Sequence, residues 1–93
     1  MIKTFADRRT RDIYVSGTAK RFAADVASGA ARKLEYIELA TRLDDLKVPP
    51  GNRLHALSGD RKGQYSISIN AQWRICFSFK DGDAYDVQVC DYH

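Results

Sequence analysis

A chain of 93 residues with 44% hydrophobic and 29% charged side chains fits one soluble globular domain spanning residues 1–93, and excludes a low-complexity chain. Its net charge of +3 and pI near 9.0 are mildly basic, which excludes a histone-like charge density. No apolar window could cross a membrane and the opening MIKTFADRRTRD has no apolar signal core, so we expect a cytoplasmic protein with no membrane partner.

Basic residues concentrate in the first third of the chain. They are Arg8, Arg9, Arg11, Lys20, Arg21, Arg32 and Lys33. This clustering predicts a basic face for nucleic acid or for an acidic protein, while an ordinary solvated surface would have the same composition.

One short strand and two helices are predicted before residue 43. MIKTF alternates Ile2 and Phe5 loosely with polar residues and reads as a short strand. ADRRTRDIYVSG predicts a short helix that ends near Gly17, because glycine commonly follows the last helical turn.

The second helix is the clearer one. Its apolar stripe consists of Val26, Ala30, Leu34, Ile37 and Thr41. Asp25 is the predicted cap, and Lys33 is expected to lie mostly off the stripe. The helix should end near Arg42, since the prolines and glycine of DDLKVPPGN stop a helix.

Beyond Gly51 the hydrophobic pattern alternates as in strands. RLHALS, QYSISIN, WRICFSF and AYDVQVCD are strand candidates, and GDRKG, NAQ and DGD between them contain turn residues. Short links predict an antiparallel meander. The predicted fold is α+β, with both helices on one face of a small, mainly antiparallel sheet and the element order β-α-α-β-β-β-β.

The apolar pattern also predicts the strand register. A three-residue loop at residues 81–83 would pair Ile75 with Val89 and Phe77 with Val87. A two-residue loop would instead place the charged Asp86 opposite Phe77, so we prefer the longer loop. The same reasoning at residues 70–72 pairs Ile67 with Ile75.

This register leaves a polar face on the other side of the sheet. It carries Ser66, Ser68, Arg74, Cys76, Ser78, Gln88, Cys90 and Tyr92. Arg74 lies opposite Cys90, with Ser68 on its other flank, and His55 joins this face in one register of its strand. Cys76 and Cys90 are diagonal neighbours, a spacing wider than ordinary disulfide geometry, so two free thiols are expected.

The most specific hypothesis for this face is a site for acid–base chemistry on a phosphate. Arg74 matches a phosphate with its guanidinium. His55 and His93, with Asp91 and Tyr92, could take and give protons, since imidazole titrates close to neutral pH. The alternatives are a solvated surface arginine and histidines that only pack. No metal or other cofactor is predicted, because the Cys and His residues lack ligand spacing.

Taken together, these residues resemble the HigB-like toxins of the RelE superfamily. The similarity runs from MIKTF to DYH and is carried by the combination of L-H-x-L-x-G-D-R, W-R-I-x-F and terminal D-Y-H. The resemblance implies a toxin of a type II toxin–antitoxin system, an endoribonuclease that cuts mRNA in the ribosomal A site. It also implies a helix-turn-helix antitoxin of the HigA type, the 70S ribosome and mRNA as partners, and operator DNA reached only through the antitoxin.

By the same resemblance, His55 would be the catalytic base or acid and Arg74 would hold the scissile phosphate, while Asp91, Tyr92 and His93 would complete the site. Basic residues would bind RNA or the ribosome: Arg53, Arg61, Lys62, Lys20 and Arg21. Some family members have a lysine where this chain has Ser58, which implies weaker phosphate stabilisation unless neighbouring cations compensate.

Two alternatives and one conflict stay open on the sequence. The alternatives are a toxin of the same fold that poisons DNA gyrase, like the ParE branch, and a non-catalytic binding module. The conflict concerns the tail, because strict alternation places Asp91 and His93 on the opposite face from Arg74. We therefore expect the chain to leave the sheet after Cys90 and to curl toward Arg74, as strands often bulge near sites.

Overall fold

The computed structural model describes residues 1–91. Its helices are α1 (Arg8–Ser16) and α2 (Ala24–Leu39), its strands are β1 (His55–Ala56), β2 (Tyr65–Ser68), β3 (Trp73–Lys80) and β4 (Asp83–Asp91), and its 3-10 turns are Leu43–Lys47, Pro50–Asn52 and Gly59–Arg61. The strands form one antiparallel sheet in the order β1-β2-β3-β4. The predicted α+β fold is confirmed.

Helix α1 has a defined residue at each end. The Asp7 carboxylate accepts a hydrogen bond from the Thr10 N–H at 2.9 Å, which satisfies an amide of the first turn. Gly17 has φ +80, and its N–H donates to the Ile13 carbonyl at 2.8 Å. The predicted end at Gly17 is confirmed, and the physical reason is the left-handed backbone that glycine adopts without strain.

Helix α2 differs from its prediction at both ends. Its N-cap is Ala23, and Asp25 lies within the first turn, where its negative charge favours the positive end of the helix dipole. The helix ends at Leu39 because the next residues turn extended and the Asp45 carboxylate accepts hydrogen bonds from the Thr41 and Arg42 N–H groups, at 3.0 and 3.1 Å. Thr41 is exposed and does not belong to the buried stripe.

The expectation that Lys33 lies off the stripe is wrong. The side chains that α2 buries belong to Ala27, Ala30, Lys33, Leu34 and Ile37. Lys33 is three residues after Ala30 and four before Ile37, so helical geometry places it on the core-facing side. Its Nζ donates to the Asn52 Oδ1 at 2.5 Å.

The register of the sheet centre agrees with the prediction. Ile67 pairs with Ile75 and Ile75 pairs with Val89, so the apolar side chains share one face. Arg74 lies between Ser68 and Cys90 on the other face. The first strand candidate of the meander is shorter than predicted, since β1 contains only two residues.

The predicted three-residue loop between β3 and β4 is wrong. Lys80 pairs with Asp83, so the turn has two residues, Asp81 and Gly82, with φ +53 and +84. A β-bulge then adds one residue to β4 at Asp86, which has φ +53 and is exposed. The bulge restores the Ile75–Val89 pairing without burying the charge, which is why a short turn and this register coexist.

The N-terminal segment runs parallel to β4 along its free edge. Ile2 and Phe5 form isolated parallel bridges to Ala84 and Val87, and do not form a regular strand. The Lys3 N–H donates to the Ala84 carbonyl at 2.8 Å. This segment covers an edge that would otherwise expose unpaired backbone groups.

Both helices pack on one face of the sheet. The core formed there contains Ile13, Ala30, Leu34, Ile37, Ala40, Leu46, Ile67, Ile75, Phe77, Ala84, Val87 and Val89. The opposite face, which we call the open face, has no helix over it within residues 1–91. In that same range no helix combines the length and apolar character needed to cross a membrane.

Candidate functional site

Arg74 is the second residue of β3, lies on the open face and is held from two sides. Its Nε–H donates to the Ser66 Oγ on β2 at 2.8 Å, and its Nη2–H donates to the Arg53 carbonyl at 2.9 Å. Ser66 is fully buried although it belongs to the polar face. Neither acceptor is charged, so these two bonds orient the guanidinium without neutralising its positive charge.

The backbone at Arg53 has an uncommon conformation. It follows the Pro50–Asn52 turn with φ +48 and ψ +54, the left-handed region that non-glycine residues seldom adopt. This conformation presents the Arg53 carbonyl to Arg74, while its side chain is exposed. The sequence marked Arg53 only as a cation, and its main-chain contribution to the site was not predicted.

His55 shares the open face with Arg74, in the one register of its strand that allows this. It pairs directly with Ser66 across the β1–β2 ladder, and its imidazole is exposed. His55, Arg53, Leu54 and Arg74 line one hollow of about 260 Å³. An imidazole and an oriented guanidinium therefore face the same space, with room for a phosphate group between them.

A second hollow adjoins Arg74 toward the β2–β3 turn. It has a volume of about 410 Å³ and is lined by Gly51, Arg53, Ser68, Ile69, Asn70, Ala71 and Arg74. Because Arg53 and Arg74 line both hollows, we call the continuous depression the Arg74 groove. Two open hollows that flank one guanidinium suit an extended ligand better than a small molecule enclosed in a pocket.

A third hollow, of about 190 Å³, lies on the other side of Arg74. Its lining residues are Leu57, Arg61, Ser66, Arg74, Cys76, Cys90 and Asp91. Arg61 donates from Nη1 to the Gln64 Oε1 at 3.0 Å and from Nη2 to the Gln88 Oε1 at 3.1 Å. Its guanidinium is thus also fixed by neutral partners. Lys62 follows it and is exposed, as is Ser58.

The two thiols of this hollow are free, as predicted. A hydrogen bond from the Cys90 thiol lowers the pKa of Cys76 to about 7 against the opposing effect of burial, with the positive charges of Arg61 and Arg74 adding to the shift. The same hydrogen bond and burial raise the pKa of Cys90. The two thiols together therefore lose their first proton at a lower pH than an ordinary cysteine and their second proton at a higher pH.

The tail does not leave the sheet after Cys90, contrary to our expectation. Asp91 is the last residue of β4 and pairs with Trp73, because the ladder continues through it. Its Oδ2 accepts a hydrogen bond from the Gln72 Nε2 at 3.1 Å, yet Asp91 also lines the hollow beside Arg74. The predictions for Tyr92 and His93 lie outside the described residues.

Lys20 and Arg21 are not brought to Arg74. They are exposed in the connection between α1 and α2, where Arg21 has φ +71, and they line none of these three hollows. The neighbouring Phe22 packs edge-on against Trp73, with ring centroids 5.1 Å apart. These two cations form a separate basic position on the helical side of the molecule.

The described chain contains no ready metal site. No three His, Cys, Asp or Glu side chains within residues 1–91 are grouped closely enough to hold an ion. The chemistry available on the open face is therefore that of an imidazole, oriented guanidinium groups, a carboxylate and a thiol pair. These groups can bind a phosphodiester and move protons at its oxygen atoms.

Comparison with known proteins identifies a family. Residues 3–93 match the family model of HigB-like toxins, described as the RelE-like toxin of the type II toxin–antitoxin system HigB. Endoribonuclease HigB of Proteus vulgaris is 36% identical over 93 residues, covering 100% of both chains. Toxin HigB-1 of Vibrio cholerae is 35% identical over 85 residues, covering 90% of each chain.

Solved structures share the fold at low sequence identity. A YoeB–YefM complex from Staphylococcus aureus has a TM-score of 0.63 at 15% identity, covering 100% of this chain and 98% of the other. A histidine-to-glutamine variant of YafQ from E. coli has a TM-score of 0.62 at 17% identity, covering 99% and 92%. These neighbours agree with the helix-on-sheet arrangement described above.

Proposed function

The chain belongs to the HigB-like, RelE-like toxins of type II toxin–antitoxin systems, and from this premise we propose that it is an endoribonuclease that cuts mRNA in the ribosomal A site. Cleavage there would stop translation and arrest growth. The full-length similarity to a protein named as an endoribonuclease supports the reaction class.

The observation that carries this proposal is the shared hollow of His55 and Arg74. RNA cleavage needs one group that moves a proton and one cation that stabilises the charged phosphorane. The guanidinium of Arg74 is oriented in advance by the Ser66 hydroxyl and by the Arg53 carbonyl, both of which are neutral acceptors. An electrostatic group fixed before the reaction needs no reorganisation during it.

In the proposed reaction, a base removes the proton of a ribose 2′-OH and the oxygen attacks the adjacent phosphorus. Arg74 stabilises the negative charge that develops on the phosphorane. An acid then protonates the departing 5′ oxygen, which leaves a 2′,3′-cyclic phosphate and a 5′-OH. His55 serves as one of the two proton carriers, and Asp91, Tyr92 and His93 complete the set.

The flanking cations would hold the RNA backbone. Arg53 lines the Arg74 groove, Arg61 lines the third hollow beside Arg74, and the exposed Lys62 follows Arg61 in the chain. Backbone contacts from such cations supply affinity without reading the sequence. Lys20 and Arg21 would contact ribosomal RNA from a second position. Where some relatives have a lysine this chain has Ser58, and Arg61, which lines the third hollow with Arg74, would take over the contribution of that lysine.

The partners of this function are an antitoxin, the 70S ribosome and mRNA. The family places the chain in a toxin–antitoxin system, so a cognate antitoxin is expected, and we propose that it is of the helix-turn-helix HigA type. Operator DNA would be contacted through that antitoxin only. The place of action would be the cytoplasm, where ribosomes translate.

The decisive experiment maps cleavage by primer extension on a translated mRNA, with the same RNA free of ribosomes as control. Wild type should cut in frame and only on ribosomes. His55→Ala and Arg74→Ala should each lower the rate at least about 100-fold, as expected for loss of a proton carrier or of a transition-state cation.

Lys80→Ala is the matched control. Lys80 lies on the same strand and the same side as Arg74, about 20 Å along it at the usual rise of a strand, and is exposed. It should cut like wild type. Full activity of both site variants would reject the catalytic assignment, and gyrase-linked DNA breaks without mRNA cuts would reject the reaction.

A further inference from the structure

Lys33 is a buried lysine on the core-facing side of α2. It is 5% exposed, and its Nζ donates to the Asn52 Oδ1 at 2.5 Å. Lysine is seldom buried without a partner, because removing an ammonium group from water is costly. Desolvation, followed by the charge of Arg32, lowers the pKa of Lys33 accordingly. A leucine or methionine would fill the same position without this desolvation cost, so packing alone does not explain a lysine here.

Its partner Asn52 organises the whole connection between α2 and the sheet. Asn52 is fully buried, and its Nδ2 donates to the carbonyls of Leu46 and Val48, at 3.2 and 3.3 Å. The side chain therefore ties the Leu43–Lys47 turn to the Pro50–Asn52 turn, while Lys33 ties both to the helix. Both ends of the Asn52 side-chain amide are therefore hydrogen-bonded, the oxygen to Lys33 and the nitrogen to the two carbonyls.

The residue that follows Asn52 is Arg53, whose carbonyl accepts the hydrogen bond from Arg74. The Arg53 N–H donates to the Pro50 carbonyl at 3.1 Å, so its left-handed backbone is held by the same turn that Asn52 anchors. A continuous set of contacts thus runs from Lys33 through Asn52 and the Arg53 backbone to Arg74. It crosses from the helical layer to the open face.

We propose that Lys33 and Asn52 are positioning residues for Arg74: they fix the Arg53 carbonyl that aims the guanidinium across the groove. The proposal deepens the function proposed above and rests on it for its activity measurements. The competing explanation is that the pair only stabilises the fold. The two explanations differ in whether loss of Lys33 acts through Arg74.

Lys33→Met is the test variant, since methionine keeps a similar length and removes the donor. Lys33→Gln is a milder second variant that retains an N–H donor on a shorter side chain. Ile37→Val is the matched control, because it trims a fully buried side chain one turn further along α2, and an aliphatic side chain cannot hydrogen-bond to Asn52. Each change is made in wild type and in an Arg74→Lys background, and urea midpoints and ribosome-dependent cleavage are measured where every variant is folded.

In wild type, Lys33→Met should lower kcat by about 10- to 100-fold with little change in KM, as expected for a displaced transition-state cation. In the Arg74→Lys background the same change should cost less than about 2-fold, because the guanidinium to be aimed is gone. Ile37→Val should leave kcat unchanged in both backgrounds. An equal loss from Lys33→Met in both backgrounds would overturn the proposal.

A second measurement does not depend on cleavage. The guanidinium Nε–H resonance of Arg74, assigned by its loss in Arg74→Lys, should shift and exchange faster with water in Lys33→Met and to a smaller extent in Lys33→Gln. It should be unchanged in Ile37→Val. An unchanged resonance in both Lys33 variants would reject the positioning role even if wild type proved inactive on ribosomes, which would count against the proposed function alone.

Discussion

Arg74 and Ser66 lie on neighbouring strands, and the Arg74 Nε–H donates to the fully buried Ser66 Oγ at 2.8 Å. Ser68 is the residue directly opposite Arg74, yet its hydroxyl donates instead to the Asn70 carbonyl at 3.0 Å. The two serines on the same face of β2 therefore have different hydrogen-bond partners and different structural roles. Ser66 orients the Arg74 guanidinium on the open face, and Ser68 closes a turn.

Ser66→Ala should slow cleavage about tenfold, equivalent to ~1.4 kcal/mol of transition-state stabilisation, because the guanidinium loses an orienting acceptor. Ser78→Ala, a matched change on the same face of the sheet at a serine that lines none of the three hollows, should stay within about 2-fold of wild type. Initial rates on translated mRNA provide the measurement. Equal losses in the two variants would show that the Ser66 contact has no special role.

The bulge at Asp86 should respond to backbone preference rather than to charge. Asp86→Val should lower the free energy of unfolding by about 1–3 kcal/mol, because a β-branched residue is strained at φ +53. Asp86→Gly removes the same carboxylate but accepts this backbone, so it should remain within about 1 kcal/mol of wild type. Urea unfolding measures both, and indistinguishable variants would refute the left-handed conformation.

The Cys76 thiol should react with iodoacetamide in a pH-dependent way. Thiolate is the nucleophile, and a pKa lowered from 9.0 to about 7 makes labelling rise around neutral pH. In Cys90→Ala the hydrogen bond to the thiolate is lost, so the rise should move to higher pH. Peptide mass spectrometry against pH follows the reaction. A wild-type curve that rises only near pH 9 would contradict the lowered pKa.

Lys33 should make stability depend on alkaline pH. Its folded-state pKa is lowered below 10.5, so the unfolded chain binds this proton more tightly and the protonated folded state carries a penalty. That penalty is present in full below the folded pKa and is relieved as pH rises toward 10.5. The free energy of unfolding of wild type should therefore rise relative to Lys33→Met across this window.

Paired urea titrations at several alkaline pH values measure this difference. Taking the difference from Lys33→Met removes the contribution of Tyr14, whose pKa is raised by burial and by Glu38 and Glu35 and which titrates in a similar range. A pH-independent difference between the two proteins would mean that Lys33 has an ordinary affinity for its proton.

Several features of the fold could be predicted because they depend on local pattern. The alternation of Ile67, Ile75 and Val89 predicted which face of the sheet is buried, and the same alternation placed Arg74 on the open face. His55 joined that face in only one register of its strand, and the structure has that register. Gly17 marked the end of α1 for a similarly local reason. In each case neighbouring residues alone carry the signal.

The sequence contained a signal for the burial of Lys33, although we predicted that this residue lies off the buried stripe. Its spacing from Ala30 and Ile37 belongs to the buried side of α2, but a charged residue is ordinarily assigned to solvent. Burial became favourable only because Asn52, far along the chain, supplies an acceptor. The length of the turn before β4 was predicted wrongly for a comparable reason. A bulge lets a two-residue turn coexist with the Ile75–Val89 pairing, which a regular ladder does not allow.

By itself the sequence determined the element order, the buried face of the sheet and the place of Arg74 on the opposite face, because side-chain alternation and turn chemistry act over a few residues. Only the tertiary structure decided how Arg74 is aimed. The Ser66 hydroxyl, the Arg53 carbonyl and the Lys33–Asn52 contact come from segments that are distant in sequence. Their meeting depends on how the helix, the turns and the sheet pack together, and no local pattern records that packing.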